Sequence, residues 1–464
     1  MHSCCEDITV LGGGASGLCV GYYAKKSGLS FKVYEATDFI GGNAATIRYK
    51  DFLFDTGAHR WHDQYPELTT ELKNLMGQDL RRIHVPSHIF YNNKAVDFPL
   101  SPFNLLKNIG PVAVAKAGFE VLINRMFNGQ EKNNFEAFAL GTYGRTIADR
   151  FLTNYSEKLW GRSCRELSPG IAGKRMKGLD LGTFIREALL GNRAKTRHLD
   201  GAFYYPKYGI GEIVRKWVET CGRENILCRS RISGILHNGR KIHAIEINGR
   251  DTIPVGYVVS TMPAPLLLKM LKPAAPEEIL AIGDGMTYRH VKLVALLIDR
   301  ASVTRSATVY FPHKDFIFTR LYEPKNRSEH MAPEAQTSLV AEVPCCDGSE
   351  YWEMEEAELI EKVSSKLIDI GWIHPEDILD AMVYPMEYAY PVFDAGYETR
   401  LERLSRYLEG FENLAANGRN SRFEYLHLHD GMKAGKEIVE KYQMMRQNWQ
   451  GTGAPREREC FSCN

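Results

Sequence analysis

The chain opens on a β-branched apolar run, Ile8-Thr9-Val10-Leu11, which breaks at once into Gly12-Gly13-Gly14-Ala15-Ser16-Gly17. From residue 18 to residue 26 the apolar positions recur at helical spacing, and Gly28 stands where a helix C-terminus would end. Phe31-Lys32-Val33-Tyr34 then reads as a second strand, closed by Glu35. Residues 66 to about 200 read as mostly helical, with polar breaks near Asn128-Gly129 and Gly191-Asn192. From Asn225 the pattern alternates, and Asn238-Gly239 and Asn248-Gly249 are hairpin turn signals. Residues 255–261 form another apolar strand, stopped by Met262-Pro263-Ala264-Pro265. Alternation over 290–345 predicts a second sheet, and 355–370, 401–407 and 430–442 read as helices. The Gly- and charge-rich stretch after Asn448 predicts a loose tail.

At 464 residues, the chain is long enough for two domains. The expected fold class is α/β: a Rossmann-type cofactor domain assembled from 1–65, 205–265 and 408–445, and a mixed α+β substrate domain from 66–204 and 266–407. Residues 446–464 would form the tail. Lys and Arg number 58 against 57 Asp and Glu, so no polyanion-binding signal is present and no nucleic-acid partner is expected. No apolar stretch is long enough for a transmembrane helix. The polar start, Met1 to Asp7, lacks the regions of a signal peptide, so a cytoplasmic protein is expected. Ten scattered cysteines fit that compartment as free thiols. Cys460 and Cys463 form a CxxC without two further ligands nearby, so no metal is expected.

The glycine stretch carries the first chemistry. In G-x-G-x-x-G, Gly12 permits a tight turn, Gly14 lets a pyrophosphate approach the backbone, and Gly17 lets helix and strand pack closely. The free N–H groups of Ala15 and Ser16, at a helix N-terminus, suit phosphate. Glu35 lies 23 residues after Gly12, where a carboxylate accepts from ribose hydroxyls. The fingerprint serves NAD and FAD alike. The following stretch, Ile40-Gly41-Gly42-Asn43, resembles the second glycine-rich segment of amine oxidase-like flavoproteins and favours FAD.

Later segments resemble one branch of that superfamily, the UDP-galactopyranose mutases. Gly57-Ala58-His59-Arg60-Trp61-His62 is similar to their GPHxFH, and Val96-Asp97-Phe98-Pro99-Leu100 to their short apolar and proline motif. Tyr155-Ser156-Glu157-Lys158-Leu159-Trp160-Gly161 resembles YTEKxWG, and Lys174-Arg175-Met176 the start of a mobile substrate loop. Phe318 to Glu323 resembles FTRxxE, Tyr390 to Asp394 YPVxD, and Gly418-Arg419 with Tyr425 the GRxxxxxY stretch. The chain departs from the pattern at Ala58, at His427 (an aspartate in the mutases) and after Met176.

The resemblance implies a redox-neutral ring rearrangement of a nucleotide sugar, a small-molecule substrate, with the covalent work assigned to FAD and no protein nucleophile. Arg175 and Arg320 would hold the diphosphate, Trp160 would stack on uracil, and Tyr155, Tyr390 and Tyr425 would donate hydroxyls. Gly42, Asn43, His59 and Gly418 would line the flavin, and Arg419 would neutralise its pyrophosphate. The helix beginning at Asp430-Gly431-Met432 would face the pyrimidine carbonyl. Each residue has a plainer reading: Arg175 as a surface charge, Arg320 in a structural salt bridge, Trp160 and His59 as core. The N-terminal motifs serve equally an FAD oxidoreductase of the protoporphyrinogen oxidase or amine oxidase type, with net substrate oxidation, and this is the alternative.

Overall fold

The computed structural model describes residues 6–98, 100, 102–127, 133–172 and 202–451. Arg175, with its neighbours Lys174 and Met176, and the tail from residue 452 onward lie outside them.

The first strand, Ile8–Leu11, is buried at every position, the pattern of a parallel strand covered on both faces. It pairs in parallel with Phe31–Tyr34 on one side and Tyr257–Ser260 on the other. Ile226–Leu227 and Leu414–Ala416 complete a five-stranded parallel sheet. The helix Ala15–Lys26 covers this sheet. Its Gly21 lies so close to Phe31 that an added Cβ would come within 2.9 Å of the ring. Lys25 and Lys26 in its last turn complement the helix dipole, and Gly28 follows with φ +66°. The architecture is α/β, with mixed α+β regions beside the parallel sheet.

A seven-stranded sheet forms the other large layer. Its order is Ile378–Pro391, Tyr288–Ile298, Thr337–Cys345, Arg320–Tyr322, Thr308–Tyr310, Ser87–Tyr91 and Lys94–Phe98. Tyr288–Ile298 and Thr337–Cys345 are buried at every position and pair antiparallel from His290 opposite Cys345 to Ile298 opposite Thr337. Phe90, Phe311, Phe316 and Phe318 pack edge and face on one another beneath this sheet.

The helical expectation for residues 66–200 fails over one stretch. Leu80–His84, Ser87–Tyr91 and Lys94–Phe98 are strands. The last two form a hairpin whose turn, Asn92-Asn93, has φ of 49° and 56° at its central residues. Two consecutive positive φ values match the right-handed twist of the strands, and asparagine tolerates them better than most side chains. Helices then follow at Pro102–Ile109, Pro111–Phe127, Phe135–Tyr143 and Asn154–Trp160. Lys158, on the last of these, donates to the carbonyls of Phe311, His313 and Phe316 at 2.6, 2.9 and 2.9 Å. It therefore pins a loop of the large sheet to the helix.

Candidate functional site

Two glycine segments lie backbone to backbone at the carboxyl edge of the parallel sheet. Gly41 N donates to Gly13 O at 2.9 Å, and Ala15 N to Gly41 O at 3.2 Å. Gly12 has φ +109°, and Gly17 is so close to the turn that an added Cβ would stand 2.0 Å from the Gly12 carbonyl oxygen. Gly14 differs: a Cβ there would meet Gly42 Cα at 3.9 Å and Gly41 O at 4.0 Å, ordinary van der Waals contact. Gly42, with φ +55°, lies opposite it. The cap residue Gly14 offers no side chain to the first helical turn. Gly41 O accepts from Ala15 N and Gly14 O from Gly17 N, so the Ser16 N–H is the one that remains for a ligand, and the expectation of a free Ala15 N–H is not met. Glu35 ends the second strand beside this loop, and its carboxylate accepts from Gly13 N at 2.8 Å and from Thr37 N at 2.9 Å.

The chain returns to this loop from far away. Gly418 and Gly431 both pack on Ser16, where added Cβ atoms would come within 2.6 and 3.1 Å of its hydroxyl. Asn417 Nδ2 donates to Ser16 O and Gly431 O at 2.9 and 3.2 Å, bracing both. The helix Leu428–Gly451 begins here. Asp430 caps its start, accepting from His427 N at 2.9 Å and from the Tyr65 hydroxyl at 3.1 Å. Met432 is fully buried and packs in the core behind it. Asn43 Nδ2 and Asn420 Nδ2 both donate to the carbonyl of Tyr388, at 3.2 and 2.9 Å. Tyr388 itself has φ +51°, at an irregularity of its strand. The Asn420 Oδ1 and Ser421 Oγ atoms are buried without a protein partner. A glycine-lined cradle with the free Ser16 N–H at a helix start, a strand-end carboxylate and orphaned polar atoms alongside suits FAD. Its pyrophosphate would lie along Gly12 to Gly17, and its adenosine ribose near Glu35.

A buried polar cluster adjoins the cradle. Arg320 and Glu342 are register partners on adjacent antiparallel strands. Arg320 Nε donates to Glu342 Oε2 at 2.8 Å, and its Nη2 to the same oxygen and to the Tyr390 hydroxyl at 2.6 Å. Burial pushes the Tyr390 hydroxyl up, aided by the Glu342 charge and opposed by Arg320. Tyr390 stacks on Tyr425 at 6.1 Å with an 11° interplanar angle, and meets Trp160 edge-on at 6.1 Å. Tyr155 meets Tyr310 edge-on at 5.9 Å. Burial raises its hydroxyl too, with the Arg320 charge pulling the other way. Tyr155, Trp160, Arg320, Tyr390 and Tyr425 thus share one neighbourhood.

Arg419 sits in that cluster. It donates to Ala389 O and Leu426 O at 2.9 and 3.0 Å, and its guanidinium lies 5.3 and 4.8 Å from the Tyr390 and Tyr425 ring centres. The guanidinium is thereby held by two carbonyls and two aromatic faces, rather than by the glycine loop.

His59 lies between cradle and cluster. Its Nε2 is 2.9 Å from Thr56 O, and the next residue back, Ala58, donates to Glu342 Oε1 at 3.3 Å. Burial, and then the Arg419 charge, lower its pKa to about 4, so the imidazole is neutral near pH 7. Because its folded pKa lies below the ordinary value of about 6.5, the stability it carries is complete above about pH 6.5 and is lost as pH falls through 4. Unfolding measurements should show the wild type losing on the order of 2 kcal/mol more than His59→Asn across that window, allowing for partial exposure. Equal losses in both would refute this.

Sequence reasoning missed several residues here. Glu342 had a signal: it is the lone charge in the buried strand Thr337–Cys345. His427 and His429 stack at 5.3 Å and 18°, with His62 6.0 Å from His427. Their alternation in the sequence put both on one side, but nothing placed His62 against them. Among the described residues no group of three His, Cys, Asp or Glu is arranged to hold a metal ion.

Residues 15–381 match the family model of flavin containing amine oxidoreductases. Coproporphyrinogen III oxidase of Bacillus subtilis (strain 168) is 21% identical over 478 residues, spanning 94% of this chain and 97% of that protein. Protoporphyrinogen oxidase 2 of Arabidopsis thaliana is 26% identical over 119 residues, which is 25% of this chain and only 23% of that protein's length. Among solved structures, reduced UDP-galactopyranose mutase superposes with a TM-score of 0.80 at 20% identity, covering 98% of this chain and 97% of that one. That likeness is one of fold. The chain belongs to the flavin containing amine oxidoreductases, and its cofactor is FAD.

Proposed function

We propose that this flavoenzyme oxidises a small anionic molecule held between the glycine cradle and the Tyr–Trp–Arg cluster. The observation that carries the reading is the cluster itself: the Arg419 guanidinium, and the Tyr390 hydroxyl that Arg320 positions from its pairing with Glu342, set among buried aromatic rings beside the flavin's place. Cations suit an anionic substrate, and aromatic walls exclude water from the reacting bond. Family membership and the near full-length match to coproporphyrinogen III oxidase support net oxidation. In this reading residues 1–65, 205–265 and 408–445 carry the cofactor, residues 66–204 and 266–407 shape the substrate's side, and the enzyme works in the cytoplasm.

Bound FAD would accept the electron pair. The protein's residues orient and polarise. The Tyr390 oxygen accepts from Arg320, which leaves its proton to donate elsewhere. Burial keeps that proton in place at neutral pH. The His59 imidazole, neutral and bonded to the Thr56 carbonyl, adds no charge beside the flavin's place.

A second reading, a redox-neutral rearrangement of a nucleotide sugar, is favoured by the convergence of Tyr155, Trp160, Arg320, Tyr390 and Tyr425 in one cluster. Arg175 would join them as a phosphate ligand. The two readings separate on the flavin's starting state. Oxidised holoenzyme mixed anaerobically with coproporphyrinogen III should bleach in the first. Dithionite-reduced holoenzyme should convert UDP-galactofuranose to UDP-galactopyranose in the second, and the oxidised form should not. Bleaching by the porphyrinogen with no sugar conversion supports oxidation; the converse transfers the assignment to the sugar reaction. In either assay Tyr390→Phe should lower kcat/KM by about tenfold to a hundredfold, the value of a hydrogen bond to a charged group. An unchanged kcat/KM would remove Tyr390 from the site.

A further inference from the structure

The large apolar side chains exposed on this protein are gathered in one place. Leu106, Val112, Phe119, Leu122, Ile123 and Met126 are 43%, 81%, 63%, 52%, 37% and 68% exposed, against four such residues scattered over the rest of the described chain. All six lie on the helices Pro102–Ile109 and Pro111–Phe127. At 100° per residue, the five on the longer helix fall within about 100° of arc. Val114, Ala117 and Val121, on the opposite side, pack inward with Leu105, Ile147 and Phe151. The longer helix is therefore apolar on two opposite sides, and among the described residues only one of them has a core to meet.

Charge separates the possible occupants. Between residues 102 and 127 the sequence carries Lys107, Lys116 and Arg125 against a single acid, Glu120. The Glu120 carboxylate is turned into the fold, where it accepts from Thr146 N at 2.7 Å and Thr146 Oγ1 at 2.9 Å. On the elements packed beside the helix, the carboxylates of Glu136 and Asp149 are paired with Arg165 and Arg145. Lys107 and Lys116 are exposed beside the apolar stripe. A second copy docked face to face would set these lysines against their own kind. An anionic lipid surface meets them with opposite charge and takes the apolar side chains into its acyl boundary. None of the described helices is long and apolar enough to cross a membrane, so this face would lie in the interface plane.

We propose that the outward face of residues 102–127 seats this protein on an anionic lipid bilayer. The test is sedimentation of the FAD-loaded enzyme with vesicles of phosphatidylcholine alone or mixed with phosphatidylglycerol. The wild type should pellet with the mixed vesicles and release as salt rises. The double variant Phe119→Ser/Met126→Ser should keep its flavin absorbance and lose about tenfold or more of its partitioning. Lys107→Gln/Lys116→Gln should retain residual binding but lose the preference for phosphatidylglycerol. A holoenzyme that stays in the supernatant overturns the proposal. If light scattering then shows a dimer that the Phe119/Met126 variant dissociates, the face belongs to a second copy of the chain.

Discussion

Gly17→Ala is expected to yield protein without flavin. The new Cβ would stand 2.0 Å from the Gly12 carbonyl oxygen and 3.1 Å from Val10 Cγ1. The first obstacle is backbone, so no side-chain rotation relieves it. The helix Ala15–Lys26 must move off the first strand, or the turn from Gly12 to Gly14 must open. Either change misaligns the N–H groups that would receive the pyrophosphate, and the strain should cost about 3 kcal/mol or more. Gly14→Ala is the matched control. Its backbone is extended, with φ −69°, and an added Cβ meets nothing nearer than 3.9 Å. That variant should unfold at the wild-type temperature without cofactor, yet bind FAD more weakly, because the methyl would fill the seam between Gly14 and the facing Gly41-Gly42, along which the pyrophosphate would lie. The ratio of flavin to protein absorbance, read with the apoprotein unfolding midpoint, distinguishes the two. Full flavin occupancy in Gly17→Ala would contradict the packing argument. Wild-type FAD affinity in Gly14→Ala would mean that the pyrophosphate does not pass there.

Glu342→Ala is expected to destabilise the protein by about 3–5 kcal/mol, the usual effect of stranding a buried charge. The Glu342 side chain is 2% exposed and that of Arg320 10%. Removing the carboxylate leaves the guanidinium without a counter-ion and the Ala58 N–H without its acceptor. Removing both charges is a different experiment. Arg320→Met/Glu342→Leu should recover most of the lost stability, since two apolar groups of similar size need no partner. It should not recover turnover, because the Tyr390 hydroxyl would no longer be held by Arg320. Chemical unfolding and a turnover assay on the two variants give the answer. If the double variant is as unstable as the single one, packing rather than charge accounts for the loss.

The parts of this site legible in the sequence were those written in local patterns. Ile8 to Glu35 could be read because strand, turn, helix and strand follow one another within a few residues, and each glycine answers a local steric demand. Tyr155 and Trp160, and likewise Tyr390 and Tyr425, could be named from short motifs. Their mutual placement could not, because the large sheet and the C-terminal return bring them together. Arg419 shows the limit: its motif named it, but not the two carbonyls and two tyrosine rings that hold its guanidinium. Glu342 was missed although it broke the same rule that drew notice to Arg320, a charge inside an apolar run. The strands Ser87–Tyr91 and Lys94–Phe98 were missed because Asn92-Asn93 was not read as the tight turn it is. Arg320 kept two readings open, and its partners favour a structural pairing that also positions Tyr390.

The closure of Gly418 and Gly431 on Ser16 has a consequence for biosynthesis. The glycine loop is translated some four hundred residues before the segments braced against it by Asn417. Contacts so distant in sequence form late and slowly. The nascent chain therefore carries an open glycine loop through some four hundred residues of synthesis, and FAD can be locked in place only once the helix Leu428–Gly451 has left the ribosome.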